Sequence, residues 1–408
     1  MDQSTTFPGA LPAAPSSSSR TVSPTGAPWY CRVVVLAAAF IWTGIVWDIS
    51  WHSAIGRDTF WTLAHICIHI GGSMGGLVCG WLILRSTFPA LRRSGEHELE
   101  RAPTVGLWGF RGPLGAWVTV WGALAMLTSA PFDNWWHAAY GLDVQILSPP
   151  HSVLAAGMFF HVVGGLMLVL GVQNREETGP AVSRGESRWL FVFAGGILIS
   201  LAAIMMTEHS LPNQQHASAF YKIACAVFPF FLATLGRASR LAWPATTAAA
   251  VYVGLTAAAV WILPLFPAQP KLAPIFNPVT HMVPPMFPLL LIIPAFGMDL
   301  VSRWIGHAGG WKKDLLVVPL LATSFTMLFL LAQWNFSTFL ISPAAKGWLF
   351  NGAGFFTFSD TPSEFWHRFW GMQQDALSWR GGLVAWVFAI LSSGVGILLG
   401  NWMTRVRR

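Results

Sequence analysis

The sequence predicts an all-α membrane protein, a polytopic bundle of about ten transmembrane helices that includes repeated helical hairpins. Of its 408 residues, 54% are hydrophobic and only 10% are charged, whereas a soluble protein carries about 25% charged residues. Apolar runs of roughly 20 residues, enough to cross about 30 Å of hydrocarbon, recur along the chain. Helices are the expected spanning element because the backbone must satisfy its own hydrogen bonds in lipid.

Three regions are predicted from the distribution of these runs. Residues 1–29 are rich in Ser, Pro, Thr and Ala and are expected to form a disordered cytoplasmic tail, with no cleaved signal sequence. Residues 30–175 form a first membrane domain, and residues 186–408 add further helices with an outer loop at 341–381. The predicted spans lie near 31–50, 61–85, 113–131, 150–172, 188–207, 217–236, 244–265, 281–301, 314–340 and 382–403.

Basic residues alternate between the predicted loops. They concentrate at residues 85–111, 175–188, 237–240, 303–313 and 405–408, and the intervening loops carry few of them. Because loops rich in Lys and Arg stay on the cytoplasmic side, we expect a multi-pass protein of the bacterial inner membrane with both termini in the cytoplasm. The net charge of +7 follows this pattern, so it does not indicate a nucleic-acid partner.

The main functional signal is a motif that occurs twice on the predicted outer side. Asp48 and His52 are four positions apart, and His65 follows at the start of the next span. The second copy has Asp133 and His137, with His151 in the corresponding place. In both copies a Gly comes four residues after the first His, and an Asp two residues later. An Asp and a His at i, i+4 share one face of a helix.

Two imidazoles and a carboxylate are a metal-ligand set that leaves coordination positions open. Such a set suits copper, zinc or non-haem iron, and the spacing alone does not select among them. Ionisable side chains at the membrane are costly and usually functional. The two copies therefore predict two metal sites, in which all six residues are candidate catalytic residues.

Other histidines are weaker candidates. His69 shares a helix face with His65 and is predicted to be a second-shell partner or a further ligand. His209 and His216 form a shorter third copy of the pattern, EHSLPNQQH, and are candidate metal ligands. By contrast, His161, His281 and His367 are interpreted as structural.

The segments DISWHSAIGRDTFWTLAH (48–65) and DNWWHAAYGLDVQILSPPH (133–151) resemble the C subunit of the copper membrane monooxygenases, the particulate methane and ammonia monooxygenases. That resemblance covers about residues 42–165. It implies copper held by Asp48, His52 and His65, and by His137 and His151, with Asp133 where the family has Asn. It also implies A- and B-type partner subunits.

The sequence thus leads to one main hypothesis and two alternatives. The first is a copper-dependent monooxygenase, or its C-type subunit, that activates O2 to hydroxylate a small apolar substrate or ammonia, with electrons from an external donor. The second is a copper-binding or copper-transport membrane protein without catalysis, and the third is an assembly subunit. Soft Cu(I) is usually moved along rows of Met and Cys, and the thirteen Met here are dispersed in the sequence.

Overall fold

The computed structural model describes residues 26–56, 59–91, 103–141, 148–175, 181–269, 280–306, 310–345, 347–350 and 376–407. Residues 1–25 of the predicted tail and residues 351–375 of the predicted outer loop lie outside the described part. Ten α-helices occur within it. They are α1 (Trp29–Ala54), α2 (Leu63–Thr87), α3 (Leu114–Tyr140), α4 (Pro149–Arg175), α5 (Ala181–Met205), α6 (Ser218–Ala238), α7 (Pro244–Ile262), α8 (Ile292–Ile305), α9 (Gly310–Leu340) and α10 (Trp379–Met403).

Nine of the described helices, all except α8, are long and apolar enough to cross a membrane. The prediction of a polytopic all-α bundle is therefore confirmed, and the chain is a multi-pass integral membrane protein. The helices that carry the motif are longer than expected. α3 was predicted to end near residue 131 but continues to Tyr140, which places Asp133 and His137 inside the helix.

Each motif-bearing pair of helices is a closely packed hairpin, α1 with α2 and α3 with α4. Two glycine pairs bring α3 and α4 together: a Cβ on Gly122 would lie 2.7 Å from the Gly157 carbonyl oxygen, and one on Gly164 would lie 2.7 Å from the Gly115 carbonyl oxygen. In a membrane, helices associate through such close backbone contact because lipid offers no hydrophobic driving force between them.

The eighth predicted span differs from expectation. Instead of a helix from residue 281, the chain is extended over residues 282–290 and turns helical only at Ile292. Pro284, Pro285 and Pro288 account for this, since proline lacks an N–H donor and disfavours helical dihedrals in the residue before it. Within a membrane, extended backbone needs other partners for its polar groups.

Buried side chains supply partners for the end of this extended segment. The Leu289 amide donates to the Tyr252 hydroxyl (2.9 Å), and the Leu290 amide donates to Gln333 Oε1 (2.9 Å). Gln333 Nε2 in turn donates to Gln215 Oε1 (2.7 Å). Side chains of α7 and α9 thereby hold the end of the segment.

Polar contacts join the helix termini at the basic end of the bundle. Asn174 Nδ2 donates to the carbonyls of Met403 and Val406. Arg237 pairs with Asp314 at 3.1 Å, and α1 is tied to α5 by the ion pair of Arg32 with Glu186. The sequence did not predict the short hairpin of β1 (Val105–Leu107) and β2 (Phe110–Gly112), which lies near this end.

Candidate metal centres

The first motif is positioned by the end of one helix and the start of the next. α1 extends through Asp48 and His52 to Ala54, so the i, i+4 pair does lie on a helix. α2 begins at Leu63, and His65 is its third residue. The hairpin therefore returns His65 to the helix end that carries the other two side chains.

The second motif is positioned in the same way. Asp133 and His137 lie near the end of α3, and His151 is the third residue of α4. Ser148 starts α4: its Oγ accepts from the backbone amide of His151 (3.4 Å), and prolines occupy the next two positions. Ser followed by Pro is a typical helix start, so the local sequence fixes the place of His151.

The glycine that both copies share has a structural role. Gly56 has φ +103° and Gly141 has φ +84°, a backbone conformation in which other residues are strained. The amide of Gly56 donates to the Trp51 carbonyl (3.2 Å), and that of Gly141 donates to the His137 carbonyl (3.1 Å). Each glycine ends its helix just after the motif and turns the chain.

In the first centre, the side chains of Asp48, His52 and His65 converge. His65 Nε2 lies 3.1 Å from Asp48 Oδ1, and His52 Nε2 lies 3.9 Å from Asp48 Oδ2. One candidate ligand atom from each of the three residues lies within 4.8 Å of the others, the one such trio within the described ranges. The carboxylate is mostly buried, while the His52 side chain is 50% exposed.

In the second centre, a single carboxylate oxygen faces two imidazoles. His137 Nε2 and His151 Nε2 each lie 3.4 Å from Asp133 Oδ1. The two ring centroids are 6.5 Å apart. This centre thus repeats the Asp–His–His set of the first, with Asp133 between its two histidines.

A backbone carbonyl fixes one imidazole in each centre. His65 Nδ1 lies 3.1 Å from the Thr59 carbonyl oxygen, and His137 Nδ1 lies 3.0 Å from the Gly141 carbonyl oxygen. Because a carbonyl can only accept, Nδ1 carries a proton, and Nε2 is the ring nitrogen that could bind a metal. A metal-bound histidine typically has this second contact. The motif did not predict these two contacts, although one of the two carbonyls belongs to Gly141, the glycine that the motif repeats.

The electrostatics of both centres favour a cation. Asp48 Oδ1 and Asp133 Oδ1 are buried and accept no hydrogen bond from any described residue. Each lies 3.1–3.4 Å from an imidazole Nε2, and a buried carboxylate is costly unless a positive charge lies nearby. A metal ion held between the carboxylate and the imidazoles would supply that charge, so the donor set of each centre fits a metal.

The remaining predicted ligands lie outside these two clusters. The His69 ring packs against Phe60, with centroids 5.2 Å apart. His209 lies in a 3-10 turn. His216 Nε2 contacts the Thr338 hydroxyl (3.0 Å) and the Trp334 carbonyl (3.2 Å). The structure therefore does not form a third Asp–His–His trio among the described residues, and metal binding by these three histidines stays a prediction.

Of the histidines interpreted as structural, His281 Nδ1 contacts the Thr280 hydroxyl at 2.9 Å. His161 is fully buried between helices, and His367 lies outside the described residues.

Comparisons with known proteins do not place the chain in a family. No protein-family model matches it, and neither the curated proteins nor the solved structures gave a match. The resemblance to the monooxygenase subunit therefore rests on the residues of the two motifs.

Proposed function

We propose that this chain is a copper-dependent membrane monooxygenase or its C-type subunit. One observation carries the proposal: two Asp–His–His clusters of the same plan occupy equivalent hairpins, and in each a buried carboxylate oxygen lies within 3.4 Å of an imidazole Nε2. Imidazole ligands suit copper, zinc and iron, and the resemblance to the copper enzymes favours copper. The bound metal would supply a site at which O2 is activated.

The side chains of the chain have distinct tasks under this proposal. His65 and His137 are held in one tautomer by backbone carbonyls, so their Nε2 atoms are ready to bind without reorientation. Asp48 and Asp133 lower the net positive charge of a bound cation. Exposed aromatic side chains, among them Phe60, surround the helix ends, and a small apolar substrate would approach from the bilayer past them.

The proposed orientation puts both centres on the outer side. α1 and α3 run from the basic end of the bundle towards the centres, and the positive-inside rule assigns the basic end to the cytoplasm of a bacterial inner membrane. Electrons would come from an external donor. A- and B-type subunits are the proposed partners, as the resemblance implies.

The metal content of the purified chain tests the proposal. We expect copper in the wild type, about one equivalent less in His52→Ala and in His137→Ala, and neither centre filled in the double variant. His281→Ala is the matched control, because His281 contacts Thr280 outside both clusters. A wild-type chain that binds no metal would contradict the proposal.

Turnover then separates an enzyme from a copper-binding protein. O2 consumption is measured with a short alkane or ammonia, a reductant and the co-purified partner subunits. We expect His52→Ala or His137→Ala to abolish the substrate-dependent part. Bound copper without turnover in the complete complex would favour the alternative of a copper-binding, copper-transport or assembly protein.

A further inference from the structure

A histidine outside both centres is buried in the middle of the first four helices. His161 on α4 has 0% exposed surface. Neither its Nδ1 nor its Nε2 has a hydrogen-bond partner in the part of the chain that the structure describes. A buried polar group without a partner costs free energy, so an imidazole with two such atoms calls for a ligand.

Glycines on neighbouring helices make the space for this ring. A Cβ on Gly75 of α2 would overlap His161 Nε2 and Cε1, and one on Gly122 of α3 would overlap the backbone of His161. The same Cβ on Gly75 would also meet the Ala37 side chain of α1 at 3.4 Å. The ring is therefore enclosed by three helices that offer it apolar surface.

The position of His161 is distinct from that of the outer centres. It lies ten residues after His151 on α4, and Gly75 lies ten residues after His65 on α2. At 1.5 Å per residue, each separation corresponds to about 15 Å along the helix. The ring thus lies about midway along the spanning helix α4, towards the basic end from both centres.

The Met126 thioether lies at Gly72 of α2, one helical turn from Gly75, which the His161 ring contacts. Met126 of α3 is 1% exposed, and a Cβ on Gly72 would meet its Sδ at 3.4 Å. Gly72 is one turn from Gly75, and Gly157, which also contacts Met126, is one turn from His161. Side chains on a helix lean towards its N-terminus, so the His161 side chain projects towards the turn of α4 at which Gly157 contacts Met126.

The surroundings define the class of ligand. Hard divalent cations require carboxylate or other oxygen ligands, and a doubly charged ion is costly in the hydrocarbon region. A neutral imidazole and a thioether instead suit a soft monovalent ion that accepts few ligands, such as Cu(I) or its redox-silent analogue Ag(I).

We propose that His161 and Met126 form an intramembrane binding site for a soft monovalent metal ion, Cu(I). The site stands on its own residues and does not depend on copper at the outer centres. The Met residues that are dispersed in the sequence include one that the fold places within about one helical turn of a buried imidazole.

The test uses the full chain with both outer centres disabled by His52→Ala and His137→Ala. The purified protein is titrated anaerobically with Cu(I) against a competing Cu(I) chelator, and in parallel with Ag(I). We expect one equivalent of either ion in this background. Adding His161→Leu should abolish binding, and adding Met126→Leu, which conserves volume but removes the sulfur, should weaken it at least tenfold.

Met298→Leu is the control, because Met298 is equally buried but lies on α8. It should leave binding unchanged, and X-ray absorption of bound Cu(I) should show a sulfur neighbour that Met126→Leu removes.

No binding in the background chain would overturn the proposal, as would full binding in Met126→Leu or in a folded His161→Leu. If His161→Leu fails to fold, the affinity of Met126→Leu and the absorption spectrum test the proposal instead. Because both outer centres are disabled in this background, a failure of the outer centres to bind copper would not change the result.

Discussion

At the scale of single residues, the carboxylates of Asp48 and Asp133 determine the charge of the two centres. Asp133 places one oxygen 3.4 Å from two imidazole nitrogens, and no described donor satisfies that oxygen. In the proposed comparison with the copper monooxygenase subunit, Asn stands at the matching position, so Asp133 would add a negative charge to the second centre. It should strengthen cation binding and weaken the metal-free fold.

Asp133→Asn tests both consequences. The neutral amide can donate a hydrogen bond to an Nε2 lone pair, so the metal-free variant should be as stable as the wild type or more stable by about 1 kcal/mol. Copper affinity at the second centre should fall about tenfold or more, with no change at the first centre. Thermal unfolding and copper titration of the purified chain measure these effects.

Asp314→Asn is the control for this pair of measurements. Asp314 pairs with Arg237 and accepts a hydrogen bond from Asn401, so its loss should lower stability and leave copper binding intact. A metal-free Asp133→Asn variant that unfolds well below the wild type would show that the carboxylate is already satisfied and would contradict the prediction.

The sequence was sufficient to predict which side chains come together in each hairpin but not how their rings are held. An i, i+4 pair and its duplication are visible in the residues themselves. The Nδ1 contacts of His65 and His137 go to backbone carbonyls, which carry no residue-specific signal. The enclosure of the His161 ring could not be predicted from the sequence either, because it depends on contact with Gly75 on another helix.

At the scale of elements, the segment before α8 departs most from a simple spanning helix. Apolar composition predicted a span over 281–301, but three prolines leave residues 282–290 extended. The side chains that replace the missing helical hydrogen bonds, Tyr252 and Gln333, lie on other helices. Because these partners lie elsewhere in the sequence, the apolar run predicts the length of the segment but not its conformation.

Gln333→Leu should destabilise the protein at this segment. Gln333 is fully buried, and its loss leaves the Leu290 amide and Gln215 Oε1 without their partner. An unsatisfied buried group costs about 1–3 kcal/mol, so the apparent melting temperature should drop by several degrees. Asn335→Leu is the matched control on the same helix, since Asn335 is exposed and bonds within its own turn. Equal melting of the two variants would mean that Gln333 does not support the segment.

At the scale of the whole molecule, the second half of the chain contributes to the surroundings of the first centre. A small apolar cluster joins Ala54 at the end of α1 with Ala268, Met282 and Val283, and Trp47 and Trp51 pack against it. The main apolar core likewise contains residues from α1 to α10. The division into domains at 30–175 and 186–408 stays a prediction, but the packing shows that the two parts share buried surface.

The proposed orientation of the whole bundle makes a labelling prediction. Gln269 is exposed next to Ala268, at the end that carries the first centre, and Lys312 is exposed at the basic end, near the pair of Arg237 with Asp314. If the basic end is cytoplasmic, a membrane-impermeant maleimide applied to spheroplasts should label Gln269→Cys and spare Lys312→Cys. Permeabilised membranes should allow both to react.

The unmodified chain is the control for this labelling, because three of its four native cysteines are buried and the fourth is partly buried. Labelling of Lys312→Cys alone in intact spheroplasts would invert the orientation and put both Asp–His–His centres on the cytoplasmic side. An inverted bundle would also place the electron donor and any partner domain on the opposite face from the one proposed. The experiment therefore decides which compartment supplies the metal and the reductant to both centres.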